Sequence, residues 1–295
     1  MPQALDVEQG YRYCQWLTAY HYENFPVASA LIPAPMRRHV AAVYAFARTA
    51  DDFADEDQNP GRALARLAQW SDALEASVSG GTTHLAAHPV FVALAETIRT
   101  QQLPVQWLRD LLTAFRRDVT VKRYPTWHAL MTEYCRYSAN PVGRLVLWLF
   151  GYRDEARQQL SDHICTALQL TNFWQDLGLD LKKDRIYLPQ EALRRHGVSE
   201  DELFRHAATP RFAGLMMEAV TVAEDLFRRG APLPGRVRGR LAWELRATWL
   251  GGLTILRRVR AAGGDTFRRR PALTGRDKCW IAVRALIRDG DAAHR

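Results

Sequence analysis

Lysine is nearly missing from this chain. Of 40 basic residues only four are lysine (Lys122, Lys182, Lys183 and Lys278), which leaves 40 − 4 = 36 arginines. With 32 acidic residues against those 40, the formal charge is +8. Such an excess suits nucleic acid, an anionic membrane surface or an anionic small substrate, and coding bias yields the same composition, so charge alone decides nothing. Cysteine is scarce as well: Cys14, Cys135, Cys165 and Cys279 are scattered and form no CxxC pair. That argues against a zinc ribbon or a disulfide framework and fits a reducing cytoplasm. No stretch approaches the roughly 18 uninterrupted apolar residues that span a bilayer. The start, MPQALDVEQGYRYCQ, lacks a basic head followed by an apolar run, so a soluble, cytoplasmic chain is expected.

Apolar residues make up 47% of 295 positions and charged ones 24%, the balance of a globular chain. The apolar periodicity is helical almost throughout. Val40, Val43, Tyr44 and Ala47 recur at three- and four-residue intervals, as do Trp107, Leu108, Leu111, Leu112 and Phe115. Alternating runs and Asn-Gly or Asp-Gly hairpins between β-rich segments are missing. Punctuation falls at Pro33 and Pro35, at Asn59-Pro60-Gly61, at Ser79-Gly80-Gly81, at Pro104, at Pro125 and at Gly151. A long helix is expected from Glu155 to Leu181, and Pro232-Leu233-Pro234-Gly235 is too short for more than a turn. The fold class is therefore all-α. One compact domain over residues 1–295 with about eleven helices is expected, closing on a basic C-terminal helix over 266–295.

Two acidic clusters carry the chemistry. In the first, Arg48-Thr49-Ala50-Asp51-Asp52-Phe53-Ala54-Asp55-Glu56, the spacing stacks Asp51 on Asp55 along one helix face. Taken alone, that cluster is more simply a solvated helix end with Arg48 pairing along it. In the second, LQLTNFWQDLGLDLKKDRIYLP, Asn172, Asp176 and Asp180 are spaced by four and four beside Leu168, Leu170, Phe173 and Trp174. An oxygen stripe on so apolar a helix points into a cavity. Oxygen donors without histidine or thiolate suit a hard cation, Mg²⁺ or Mn²⁺. Mg²⁺ completes its shell with water and substrate phosphates, so two facing stripes imply a diphosphate. Arg48, Lys182, Lys183 and Arg185 are at hand for its oxygens.

The pair of clusters resembles the squalene/phytoene synthase family of head-to-head prenyltransferases. YAFARTADDFADE (44–56) and LQLTNFWQDLGLDLKKDRIYLP (168–189) carry the resemblance, with weaker support from HYENFPVAS (21–29) and YCRYSANPVGRLVL (134–147). It runs from about residue 15 to 265 in the family's order and implies the isoprenoid synthase fold, a helical bundle around a central cavity. It also implies Asp51 and Asp55 as metal ligands of one motif, and Asn172, Asp176 and Asp180 of the other. His21, Tyr44, Arg48 and Gln169 match positions that contact substrate or its diphosphate.

Three departures narrow the likeness. Gln175 stands where members commonly carry arginine, Ser138-Ala139-Asn140-Pro141-Val142-Gly143 replaces a run of small residues, and Gly251-Gly252 lies where many have an aromatic residue. Together with HYENFPVAS they look most like a bacterial branch whose members take presqualene diphosphate, expel diphosphate, rearrange the cation and capture it with water. No NADPH is expected, and no glycine-rich dinucleotide fingerprint follows a strand. For the cation, Phe46, Tyr134, Tyr137, Phe173 and Trp174 are aromatic candidates, with core packing the plainer account of each. Pro141 inside a helix would free the carbonyl of Tyr137, which with Ser138 or Asn140 would hold the captured water; alternatively Asn140-Pro141 only kinks or divides that helix.

The arginines at 257, 258 and 260 and the run 268–270 read as a solvated face or as a peripheral contact with the inner membrane face, where enzymes before and after this one in a pathway would meet it. Two competitors stand beside this reading. One is a presqualene diphosphate, squalene or phytoene synthase condensing two prenyl diphosphates on the same metal clusters. The other is a non-catalytic basic helical protein on a membrane or RNA; its basic residues are diffuse while the acidic ones are regularly spaced, so no nucleic acid partner is expected.

Overall fold

The computed structural model describes residues 6–20, 33–57, 59–81, 85, 87–268 and 270–286. Fourteen α-helices succeed one another among them: α1 (Val7–Tyr20), α2 (Ala34–Asp55), α3 (Pro60–Ser79), α4 (Pro89–Gln101), α5 (Val105–Thr120), α6 (Trp127–Ala129), α7 (Arg136–Ser138), α8 (Asn140–Leu149), α9 (Glu155–Lys182), α10 (Gln190–His196), α11 (Glu200–Phe204), α12 (Pro210–Gly230), α13 (Gly239–Ala261) and α14 (Gly275–Leu286). A π-helical stretch, Leu130–Cys135, joins α6 to α7, and a 3₁₀ turn, Leu233–Arg236, precedes α13. Among the described residues there is no strand, only an isolated bridge between Arg123 and Ile186. The all-α expectation holds.

Helix ends follow the local chemistry. Asn59 caps α3 by accepting from the Arg62 N–H, and Gly80 closes it with φ at 73°. Thr126 and Thr209 cap α6 and α12, and Ser199 forms a reciprocal capping box with Glu202 on α11. Pro141 is not interior to a helix. It occupies the first turn of α8, after Ala139 has parted α7 from it, and a proline there forfeits no helical hydrogen bond. The C-terminal helix also starts later than expected, at Gly275 instead of 266. Pro271 cannot donate, and Thr274 supplies the cap by accepting from the Asp277 N–H at 3.3 Å.

The chain forms two compact units: residues 1–121 with 136–154, and residues 122–135 with 155–295. In the first, α2 is central, touching α1, α3, α4, α5 and α8. Its inner face (Ala42, Ala45, Phe46, Ala50) is fully buried against Trp70, Phe91, Leu108 and Leu112. The Tyr11 hydroxyl, His39 Nδ1 and Thr97 Oγ1 lie 3.1–3.2 Å apart, tying α1, α2 and α4 by a buried polar knot. In the second unit α9 packs on α12, α13 and the π-helical stretch. Gly252 of α13 is buried where a Cβ would come within 2.6 Å of Phe227 and Leu168. The absence of a side chain there lets α13 approach α9 closely.

Candidate active site

On α2, Tyr44, Arg48 and Asp51 lie half-buried between the buried face and solvent, and Asp55 is exposed. Arg48 reaches past its expected partner. Its guanidinium is 2.6 Å from Asp52 Oδ1 and 3.6 Å from Asp51 Oδ2. Burial, and then the Asp55 charge, push the Asp51 carboxyl up to about 7 against the pull of Arg48, and Asp118 and Asp52 add to the push. Water screens part of this repulsion, since 40% of the Asp51 side chain is exposed. Asp118, on α5 and only 7% exposed, was not among the residues singled out by spacing. It stands alone in Phe115-Arg116-Arg117-Asp118, and nothing in that string announces its burial.

On α9 the inner face (Leu170, Thr171, Phe173, Trp174, Leu177) is buried. The oxygen stripe runs along its margin, with Gln169, Asp176 and Asp180 half-buried and Asn172 exposed. Asn172 donates from Nδ2 to Asp176 Oδ2 at 2.8 Å. Arg270 grips both Asp176 oxygens, its Nη2 lying 3.0 Å from Oδ2. Gln175 fixes the segment beside Arg270 by donating to the Pro271 carbonyl at 2.5 Å. Thus a guanidinium sits on Asp176 although position 175 is glutamine, and it arrives from 94 residues away. Asp180 serves the backbone too, its carbonyl accepting from the Lys183 and Arg185 N–H groups at 2.9 Å. Lys182 and Lys183 are exposed, whereas Arg185 is buried.

The other named residues divide. His21 and the stretch 21–29 lie outside the described residues. Phe46 is core, stacked on Trp70 with centroids 6.1 Å apart. Tyr134 and Phe173 join Tyr124 and Tyr187 in an aromatic cluster, with Phe173 and Tyr187 face to face at 3.6 Å. Those two faces are spent on each other. Tyr137 carries the Arg136 guanidinium over its ring at 5.5 Å. Ser138 Oγ is buried without a hydrogen-bond partner.

No group of three or more His, Cys, Asp or Glu side chains able to hold a metal ion occurs among the described residues. Mg²⁺ needs only one or two carboxylates when phosphates and water supply the rest. The Asp51–Asp55 pair fits that demand, because its like charges already oppose each other and a divalent cation would reconcile them.

Residues 18–277 match the squalene/phytoene synthase family. Hydroxysqualene synthase of Sinorhizobium fredii is 39% identical over 232 residues, 77% of this chain and 76% of that one. Hydroxysqualene synthase of Rhodopseudomonas palustris is 36% identical over 218 residues, 73% of this chain and 72% of its own length. Among solved structures, squalene synthase HpnC from Alicyclobacillus acidocaldarius superposes with a TM-score of 0.80 at 40% identity, covering 88% of this chain and 97% of that one.

Proposed function

Because the chain belongs to the squalene/phytoene synthase family, we propose that it converts presqualene diphosphate to hydroxysqualene. The observation that carries this is likeness to hydroxysqualene synthases in a chain that keeps both oxygen stripes, Asp51/Asp55 and Asn172/Asp176/Asp180. In the reaction the carbon–oxygen bond to diphosphate breaks with its electron pair leaving on oxygen. The cyclopropylcarbinyl cation rearranges, and water adds to it and loses a proton. Carbon is neither reduced nor oxidised by an outside agent, so NADPH has no part.

Asp51 and Asp55 of α2, and Asn172, Asp176 and Asp180 of α9, would hold Mg²⁺. The metal supplies Lewis acidity to the departing diphosphate. Tyr44, Arg48 and Gln169 bind the substrate, with Arg48 anchored by Asp52. The buried, unpartnered hydroxyl of Ser138 suits a held water. Asn140 stands two residues on, at the head of α8. Ser138→Ala and Asn140→Ala should shift the ratio of hydroxylated to hydrocarbon product, and an unchanged ratio in both removes them from the scheme.

The test of the reaction is purified protein with Mg²⁺ and presqualene diphosphate without NADPH, and in parallel with farnesyl diphosphate, extracts being read by mass spectrometry. A hydroxylated C30 product from the first substrate, lost in Asp176→Ala, is expected. Consumption of farnesyl diphosphate with no turnover of presqualene diphosphate would make this a head-to-head condensing enzyme.

A further inference from the structure

Three of the arginines that the sequence offers for a membrane face are committed within the second unit. Arg258 pairs with Asp277 at 2.5 Å, Arg260 with Glu224 at 2.6 Å, and Arg270 with Asp176. A different surface remains. Helix α14 is pinned to α13 by its inward side. Ile281 and Ala285 are buried, Arg258 holds Asp277 near its start, and Arg246 donates to the Ala285 carbonyl at 2.8 Å near its end. Its outward side is apolar all the same, with Trp280 45%, Val283 58% and Leu286 70% exposed.

At about 100° per residue, Trp280, Val283, Cys279 and Leu286 share one outward arc about 120° wide. Arg284 borders that arc on one side, Lys278 lies beyond Ala282 on the other, and Arg276 stands at its N-terminal end. All three are exposed, and none has an ion-pair partner among the described residues. The helix's single acid, Asp277, is turned inward to Arg258. Contiguous exposed apolar surface marks a docking site. An indole and two aliphatic side chains bordered among the described residues by cations are what an anionic lipid surface receives, the indole entering the headgroup boundary while the cations meet phosphates.

We propose that the outward face of α14 docks the protein on anionic lipid bilayers through Trp280, Val283 and Leu286, flanked by Arg276, Lys278 and Arg284. The docking rests on α14 alone. Its use rests on the proposed reaction, whose water-insoluble C30 product must leave into lipid.

The test is co-sedimentation of the full-length protein with vesicles of equal parts phosphatidylglycerol and phosphatidylcholine, beside vesicles of phosphatidylcholine alone. Binding to the anionic vesicles, weakened by salt, is expected. Trp280→Ser should weaken it by about tenfold, and Lys278→Glu and Arg284→Glu by about fivefold or more each. Unchanged circular dichroism and melting temperature establish that these exposed substitutions leave the fold intact. Asp176→Ala should bind like the parent while turning nothing over, so a failed reaction and a failed docking are read separately. Equal binding by the parent and by Trp280→Ser/Leu286→Ser, or equal binding to both vesicle types, would overturn the proposal. So would self-association in sedimentation velocity that Trp280→Ser abolishes, which would assign the face to a second copy of the chain.

Discussion

The two acidic helices keep their carboxylates in different electrostatic states. On α2, Asp51 is crowded by Asp55, Asp118 and Asp52, while Arg48 gives its closest contact to Asp52. On α9, Asp176 is already matched, gripped by Arg270 and bridged to Asn172. Equal spacing in the sequence therefore yields one stripe short of positive charge and another supplied with it from within the chain. A divalent cation would relieve repulsion on α2, whereas on α9 it would have Arg270 as a rival for the same oxygens.

The largest effect should fall on both stripes alike. Asp51→Asn and Asp176→Asn are each expected to lower kcat by more than about a hundredfold, as measured with Mg²⁺ and saturating presqualene diphosphate. Retained activity in either would strike that stripe from the metal site. Gly252→Ala should separate them. The added methyl meets Phe227 and Leu168, costing about 1–3 kcal/mol in a denaturant melt and disturbing α9 beside Gln169 with α2 untouched.

In metal-free protein the two carboxylates should then part in sign. Asp51→Asn removes a like charge and should stabilise, by about 1 kcal/mol once exposure is allowed for. Asp176→Asn strands Arg270 and should destabilise by about the same amount. Denaturant midpoints of the two variants that move in the same direction would dissolve the contrast. The smallest effect is one of pH. Burial holds His39 of α2 below the ordinary imidazole range. The unfolded chain takes that proton near pH 6.5 and the folded chain resists it. Stability is therefore complete above about pH 6.5 and falls as pH drops toward the lowered folded value. His39→Asn should flatten that fall in melting temperature.

How much was legible depends on whether the cause is local. The α9 stripe was readable because its period repeats within one helix, and α14 aside, helix boundaries followed caps and prolines to within a few residues. Arg270 was not, since its partner lies 94 residues back and no periodicity links a helix to an irregular segment. Asp118 was missed because burial of a lone acid depends on what packs over it. Of the two readings of Pro141, the mid-helix one fails and the one in which Asn140-Pro141 divides the helix holds, since α7 ends at Ser138 and α8 starts at Asn140. The aromatic candidates were correctly located as residues and only half understood as surfaces, for Phe173 turns its face to Tyr187.

The most direct test of the central claim is the origin of the product's oxygen. The reaction run with presqualene diphosphate and Mg²⁺ in ¹⁸O-water should give hydroxysqualene carrying the label, with unlabelled diphosphate released intact. An alcohol without label, with ¹⁸O in the phosphate instead, would mean cleavage at phosphorus and no cation for water to capture.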